Sequence, residues 1–397
     1  MKNRKYLMAA AGTFLLLILG TFFAWSLYRV YVNDLFPKFT ATQLSLNFSL
    51  FVVIFCLGSL LAGVLSKKLG CHTIILISAV LIAVGTIITN MMFSFEDSAA
   101  LTVLYVGYGG FCGFGVGMSY NAILSGVGKW FPDRSGFISG LLLTGYGMGS
   151  LVCGTVVSFF ADRIGFPPAF LWSSLIIAAA IAALSFLFRK TPETQISGGA
   201  ESGLTTAQIL KTPTLWFHFL FSLFAGGVGL MVINSAALIA IYFGIAAVLG
   251  LMVSLFNGFG RIVSGMIFDR LRSKSIYVVV GMGFASAILL ISAHGTGSVV
   301  LMFAGMLIAG MSYGSSMSVT AALTREFYGT KHYAPNFAVI TLAGIPSSFM
   351  GPYISGRLQD ASGGDYLTTF YAMLVFAALA LICAVGVSVT RKKLPRF

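Results

Sequence analysis

The chain has 397 residues, 58% hydrophobic and only 9% charged, with a mean hydropathy of +0.95 and a formal net charge of +13. Soluble domains carry about 25% charged residues, so this composition excludes a water-soluble globular protein. The basic surplus does not make a nucleic-acid partner, because it flanks apolar stretches and forms no basic domain.

A helix needs about 20 apolar residues to cross a bilayer's hydrocarbon core. Twelve such stretches follow one another, centred near Leu17, Phe55, Leu81, Phe111, Gly147, Ile177, Phe224, Ser254, Phe284, Gly310, Pro346 and Val375. Short polar or Gly/Pro-containing turns separate them. Strands of a membrane barrel are about 10 residues long with alternating polarity, which is not the pattern here. The first stretch has no small-residue cleavage site before a long polar domain, and reads as a first helix, not a signal peptide. Spans four and five are dense in glycine, with Gly107, Gly110, Gly113, Gly115 and Gly117 in one and Gly140, Gly145, Gly147, Gly149 and Gly154 in the other. Small residues let helices approach closely in lipid. After span six, Ser197-Gly-Gly-Ala-Glu-Ser-Gly203 and a short amphipathic piece, Ala207 to Leu210, read as a linker. The predicted division is a six-helix bundle over 1–188, a linker over 189–212 and a second bundle over 213–397.

Charge placement sets the expected orientation. Of the 24 basic residues, Lys38, Arg163 and Arg357 fall in odd-numbered turns, and Arg29 and Arg261 lie in or at the edge of spans. All the others lie in even-numbered turns or at the termini. The positive-inside rule then puts both termini in the cytoplasm of a multi-pass plasma-membrane protein, with a bacterial inner membrane as the setting. Cys56, Cys71, Cys112, Cys153 and Cys383 show no metal-type spacing and read as small buried hydrophobes. His218, beside Trp216, reads as interfacial, and His294 as part of an external turn. Nothing calls for a cofactor or a metal.

Two internal matches lie about one half-chain apart. Gly63-Val-Leu-Ser-Lys-Lys-Leu-Gly70, between spans two and three, corresponds to Gly265-Met-Ile-Phe-Asp-Arg-Leu-Arg272, between spans eight and nine. Gly117-Met-Ser-Tyr120 in span four recurs as Gly310-Met-Ser-Tyr313 in span ten. Two parallel copies of six helices are the arrangement of major facilitator transporters. The turn holding Asp269 and Arg270 resembles that superfamily's signature; the first copy has Lys67 where the second has Asp269. Asp269 and Arg270 are therefore read as gating residues, the carboxylate capping a helix N-terminus across the cytoplasmic interface.

Arg261 lies inside span eight, and no span holds Asp or Glu. A charge at that depth is costly and marks function. The simplest partner is a small anion that binds and leaves. The planar guanidinium matches a carboxylate with two parallel hydrogen bonds. Asn257, four residues earlier, shares its helix face and can orient it without adding charge. Arg29 reads as an interface anchor beside Tyr28 and Tyr31, or as a group recruiting anions.

Lys129-Trp-Phe-Pro-Asp-Arg134-Ser-Gly136, Asn257-Gly-Phe-Gly-Arg261-Ile-Val-Ser-Gly265, Leu323-Thr-Arg-Glu-Phe-Tyr-Gly-Thr-Lys331 followed by Asn336, and Ala24-Trp25-Ser26-Leu27 occur in this order. Together they resemble the oxalate/formate antiporter family of the major facilitator superfamily. The resemblance implies an all-α membrane fold of twelve helices in two bundles, and a central arginine, here Arg261, that binds a carboxylate. It also implies aromatic residues boxing a small planar anion, for which Tyr120, Tyr146 and Tyr313 stand at matching places, with Phe23 or Trp25 from span one. The oxalate carrier of that family has a lysine in span eleven where this chain has Gly344. Proton-coupled monocarboxylate porters have an aspartate where this chain has Asn257.

The expected function is therefore secondary transport, by alternating access, of a small monocarboxylate of the formate, lactate or pyruvate type, through exchange or facilitated movement, by a monomer. A proton-coupled symporter and an oxalate-type antiporter are the alternatives. A drug exporter would need a carboxylate within a span, and an enzyme a nucleophile–base pair or paired acids; the spans contain neither.

Overall fold

A computed structural model of the chain describes residues 2–65, 68–128, 130–131, 135–189, 203–329 and 332–394. Among the described residues ten helices are long and apolar enough to cross a membrane. The longest, Ala247–Thr296, is two helices joined through a short turn at Arg272–Lys274. A further helix, 333–361, is broken into short pieces, so length and hydropathy alone miss it. In chain order the twelve are α1 (Arg4–Leu35), α2 (Ala41–Leu65), α3 (Cys71–Met91), α4 (Asp97–Gly128), α5 (Ser135–Ile164), α6 (Phe166–Arg189), α7 (Pro213–Tyr242), α8 (Met252–Leu271), α9 (Ser275–Thr296), α10 (Val299–Tyr328), α11 (333–361) and α12 (Leu367–Thr390). Among the described residues the sole β-type pairing is an isolated bridge, Gly203 with Gly329.

Local sequence explains where helices start and break. Gly165, at φ +83°, turns the chain between α5 and α6, and prolines then open α6. In α1 a tighter 3₁₀ stretch, Gly20–Ala24, interrupts the helix. In α4 the glycine-rich stretch Tyr105–Cys112 winds as a π-helix. In α11 a second π-turn spans Phe349–Tyr353, around Pro352. Such irregular turns in a membrane helix persist where neighbouring protein satisfies the backbone.

The helices pack as two groups with the same pairings. In the first, α2 lies on α4, α3 on α6 and α1 on α5; in the second, α8 lies on α10, α9 on α12 and α7 on α11. The repeated glycines make equivalent contacts. A Cβ on Gly117 of α4 would collide with the Phe55 carbonyl of α2, and one on Gly310 of α10 with the Val253 carbonyl of α8. Glycine at these places lets the helix backbones touch.

The two groups meet along α2/α11 and α5/α8, both antiparallel. On α2/α11 the contacts begin at the end of the molecule remote from the chain termini. There the Asp360 carboxylate accepts from the Ala41 and Thr42 backbone N–H groups, each at 2.9 Å, and from the Thr42 hydroxyl. It thus caps the N-terminus of α2 from the other bundle. Farther along, Ser49 and Ser348 exchange hydroxyl-to-carbonyl hydrogen bonds. On α5/α8, a Cβ on Gly147 would stand 3.1 Å from the Gly258 nitrogen, and Ser150 bonds Ser254. Toward the terminal end these seams part. Among the described residues outside their own helices, nothing lies within 4 Å of where a Cβ of Gly140 or Gly265 would stand. The structure is closed at the remote end.

Arg29 belongs to that closure. It is 2% exposed, and its guanidinium donates to the Ser45 hydroxyl at 3.3 Å, the Ala41 carbonyl at 3.5 Å and the Gln359 Oε1 at 3.4 Å. The reading of Arg29 as an interface anchor is therefore wrong: the side chain is buried between the bundles and bonds residues of both. His218 is likewise not interfacial. It is fully buried against Phe327, and neither ring nitrogen has a partner among the described residues. His294 does lie at the remote end, bonded to Asp365 at 2.9 Å.

Replacing Asp360 with Ala removes the α2 cap. A cap of this kind contributes about 1 kcal/mol, so the open population at the remote end should rise about fivefold. Spin-label distances between exposed positions 35 and 357 measure it; an unchanged distribution would show that the cap does not hold the bundles together.

The predicted linker is only partly within view, since 190–202 lie outside the described residues. Its second part is fastened to the second bundle. Leu204 N–H donates to the Tyr328 carbonyl at 2.9 Å, and Asn336 Nδ2 to the Leu204 carbonyl at 2.9 Å. Thr205 and Gln208 form a capping box for the short helix Thr206–Ile209.

Candidate functional site

The site is built around α8. Asn257 and Arg261 are four residues apart on one face, 5% and 6% exposed, and the Arg261 Nε donates to the Asn257 Oδ1 at 3.5 Å. Asn257 is itself held by α10. Gly314 comes so close that its Cβ would overlap the Asn257 carbonyl and stand 2.8 Å from Oδ1. The Ser315 hydroxyl donates to the Gly260 carbonyl at 3.0 Å, fixing the same pair of helices. Beside Gly314 stands Tyr313, whose ring backs onto Gly229 of α7, where a Cβ would collide with it.

The first bundle supplies the opposite wall. Tyr120 of α4 and Tyr146 of α5 have ring centroids 5.0 Å apart. Phe55 of α2 lies 5.1 Å from Tyr120 and 6.1 Å from Tyr146, and Phe23 of α1 lies 5.4 Å from Tyr146. The Gly147–Gly258 contact holds α5 against α8 at this level, so the tyrosines of one bundle face the arginine of the other. Tyr120, Tyr146 and Tyr313 all lie within range of the Arg261 charge. The Tyr146 hydroxyl is buried and has no partner among the described residues.

Among the described residues no carboxylate pairs with Arg261; the ion pairs are Lys38–Asp97, His294–Asp365 and Arg391–Glu326, all elsewhere. A buried guanidinium surrounded by neutral donors and aromatic faces is costly to maintain. An anion arriving there would find a planar fork, an unpartnered hydroxyl and ring faces that exclude water.

Of the site residues expected from sequence, Arg261, Asn257, Tyr120, Tyr146, Tyr313 and Phe23 come together. Trp25 does not join them. Its indole N–H donates to the Leu44 carbonyl at 3.0 Å and its ring packs on Tyr108, within the first bundle. Asp269 and Arg270 lie exposed at the terminal end, and neither makes a hydrogen bond or ion pair among the described residues. Lys67, Lys331, and Lys129 and Arg134 at the ends of the span-four signature lie outside the described residues. Sequence reasoning missed Phe55, packed on Tyr120 and Tyr146, and its neighbour Cys56, whose thiol lies within electrostatic range of Tyr120, Tyr146 and Tyr313. On α2, apolar nearly all round, periodicity does not single them out.

Residues 6–352 match the family model described as Major Facilitator Superfamily. The chain belongs to the major facilitator superfamily. Similar proteins include an uncharacterized MFS-type transporter, YhjX, of Escherichia coli K12, 28% identical over 82% of this chain and 81% of that one. The oxalate:formate antiporter of Oxalobacter formigenes is 26% identical over 96% of this chain and 90% of its own. Monocarboxylate transporter 13 of Rattus norvegicus is 22% identical over 86% and 77%. Among solved structures, the inward open conformation of the xylose transporter XylE from E. coli superposes with a TM-score of 0.75 at 15% identity, covering 99% of this chain and 97% of that one. This likeness establishes the fold. The protein is a multi-pass membrane transporter of the superfamily.

Proposed function

We propose that this transporter carries small monocarboxylates of the formate, lactate or pyruvate type across the plasma membrane, with the carboxylate received by Arg261. The observation that carries the reading is a buried arginine with no carboxylate partner among the described residues, within electrostatic range of Tyr120, Tyr146 and Tyr313. The named activities of two similar proteins, an oxalate:formate antiporter and a monocarboxylate transporter, point the same way. One buried positive charge matches one carboxylate, and a second carboxylate left unpaired there would be costly to desolvate.

Exchange or facilitated movement fits these residues better than proton coupling. No described span holds an acid near Arg261, and Asn257 does not titrate. An Arg261–carboxylate pair crosses as a nearly neutral unit when the bundles rock, whereas an empty site leaves the arginine unpaired. The loaded carrier then reorients faster than the empty one. By the positive-inside rule the termini belong in the cytoplasm, and on that reading the closed remote end faces outward. Asp269 and Arg270 are gating residues for the opposite closure, made when the terminal end shuts.

Proteoliposomes test this directly. Unlabelled formate, lactate or pyruvate inside should accelerate uptake of the same labelled acid from outside, and these acids should compete better than oxalate. Tight oxalate binding with inert monocarboxylates, or uphill uptake driven by a pH gradient without internal substrate, would overturn the reading.

A further inference from the structure

The N-terminus of α2 holds a carboxylate in this structure, and that carboxylate comes from the other bundle. Asp360 of α11 accepts from the Ala41 and Thr42 backbone N–H groups at 2.9 Å each and from the Thr42 hydroxyl. Three donors thus converge on one carboxyl group at the positive end of a 25-residue helix. Asp360 is exposed, so dissolved ions have access to it. Arg29 stands behind these donors. Its Nη2 donates to the Ala41 carbonyl, on the residue whose N–H binds Asp360, and to the side chain of Gln359, the residue before Asp360. The guanidinium is 2% exposed, and its Nε has no partner among the described residues. Every acceptor it bonds there is neutral and 3.3 Å or more away. The Asp360 charge is in range of it, but that carboxylate is bonded to the helix end instead. A buried guanidinium kept on such bonds is an anion site short of its anion.

The boundary between bundles divides these groups. Arg29, Ala41, Thr42 and Ser45 belong to the first bundle, Gln359 and Asp360 to the second. When the remote end opens, the first bundle keeps every donor and loses both the carboxylate and the Gln359 acceptor. Ser45, bonded to Arg29, is ten residues before Phe55, which packs on Tyr120 and Tyr146. The freed donors then stand roughly 15 Å from the central site along α2.

We propose that Arg29 and the N-terminus of α2 form an outer carboxylate site, filled by Asp360 while the remote end is closed and taken over by an incoming monocarboxylate when it opens. Asp360 is a tethered stand-in for the substrate: its return to the donors closes the end and displaces the anion toward Arg261. The inference deepens the carboxylate reading of Arg261 and rests on it for the identity of the substrate.

Two experiments test the outer site. The first removes the stand-in and the central arginine together. In Asp360→Ala/Arg261→Gln the donors of α2 are empty, and sodium acetate should raise the melting temperature in a saturable way that sodium chloride at the same concentration does not. Adding Arg29→Gln should abolish the acetate effect. Equal melting in acetate and chloride, or an acetate effect that survives Arg29→Gln, overturns the outer site. The second experiment varies lactate on one side of a proteoliposome at a time during exchange. Arg29→Gln should raise the outer KM about tenfold, the loss of one charge-assisted hydrogen bond, and leave the inner KM nearly unchanged. Gln359→Leu breaks the same closing bond but keeps the arginine, so it should lower the outer KM by populating the open state. Were Arg29 merely a strut of the closure, both variants would lower the outer KM, and the proposal would fall. The first experiment does not involve Arg261. Acetate stabilisation in a chain whose wild type exchanges no monocarboxylate therefore supports the outer site and fails only the central reading.

Discussion

Arg261→Gln should abolish transport while the protein still inserts and folds, and Arg261→Lys should leave a few per cent of the wild-type rate. The Arg261 Nε donates to the Asn257 Oδ1 at 3.5 Å, so the two terminal nitrogens are the pair that a carboxylate meets in parallel. Lysine keeps the charge but cannot hold Asn257 and offer two parallel donors together. Losing one charge-assisted hydrogen bond costs about 1.5–3 kcal/mol, or roughly 10- to 100-fold in rate. Stability separates a ligand-binding arginine from a structural one. An arginine in a salt bridge destabilises the protein when removed, because its partner is left buried and charged. Here no carboxylate is left behind, so the melting temperature of Arg261→Gln should stay level or rise. Initial exchange rates and thermal unfolding in the same detergent measure both. A Gln variant that transports normally, or that melts far below the wild type, contradicts this account.

Gly344→Lys should invert the selectivity toward a dicarboxylate. The position admits a side chain, because among the described residues outside its own helix a Cβ there meets only the Cys56 Sγ, at an ordinary contact distance of 3.5 Å. A lysine from that point brings its ammonium near the three tyrosines and gives the site a second positive charge. Oxalate, unpaired at one end in the wild type, would then be matched at both. Its competition should improve at least tenfold relative to formate, about 1.4 kcal/mol in differential binding. Two buried cations without a ligand repel, so the variant should melt below the wild type and recover with oxalate but not with formate. Equal recovery with both acids would show that position 344 lies outside the substrate's reach.

The sequence made much of this legible, and the misses have physical causes. Arg261 and Asn257 were readable because charge and polarity are conspicuous in an apolar span and the spacing of four fixes their shared face. Tyr120 and Tyr313 were readable through the internal repeat, which survives as equivalent glycine contacts at Gly117 and Gly310. Trp25 was misplaced because the 3₁₀ stretch Gly20–Ala24 alters the winding between Phe23 and Trp25, so the two point to different neighbours. Phe55 and Cys56 were invisible because an all-apolar helix carries no label for its inner face. Arg29 and His218 were read as surface groups from their places near span ends. Their burial depends on α11 and α10 crossing them, which is tertiary information. An Asp capping a helix of the other bundle was expected at Asp269; the structure shows that device at the opposite end, with Asp360 on α2.

The meeting of Gly147 with Gly258 has a mechanical meaning. Most helix pairs interlock side-chain ridges in grooves, and rotating one against the other must first unmesh them. Here two backbones touch at the level of the arginine, flanked only by the Thr144 and Met148 side chains and the Ser150–Ser254 bond. In the proposed rocking of the bundles such a contact is a pivot: the ends of the molecule would swing while the middle keeps its place. A charge riding at the pivot barely moves during the swing. The membrane voltage therefore does little work on Arg261 itself, and whatever electrical signature the cycle has belongs to its passenger.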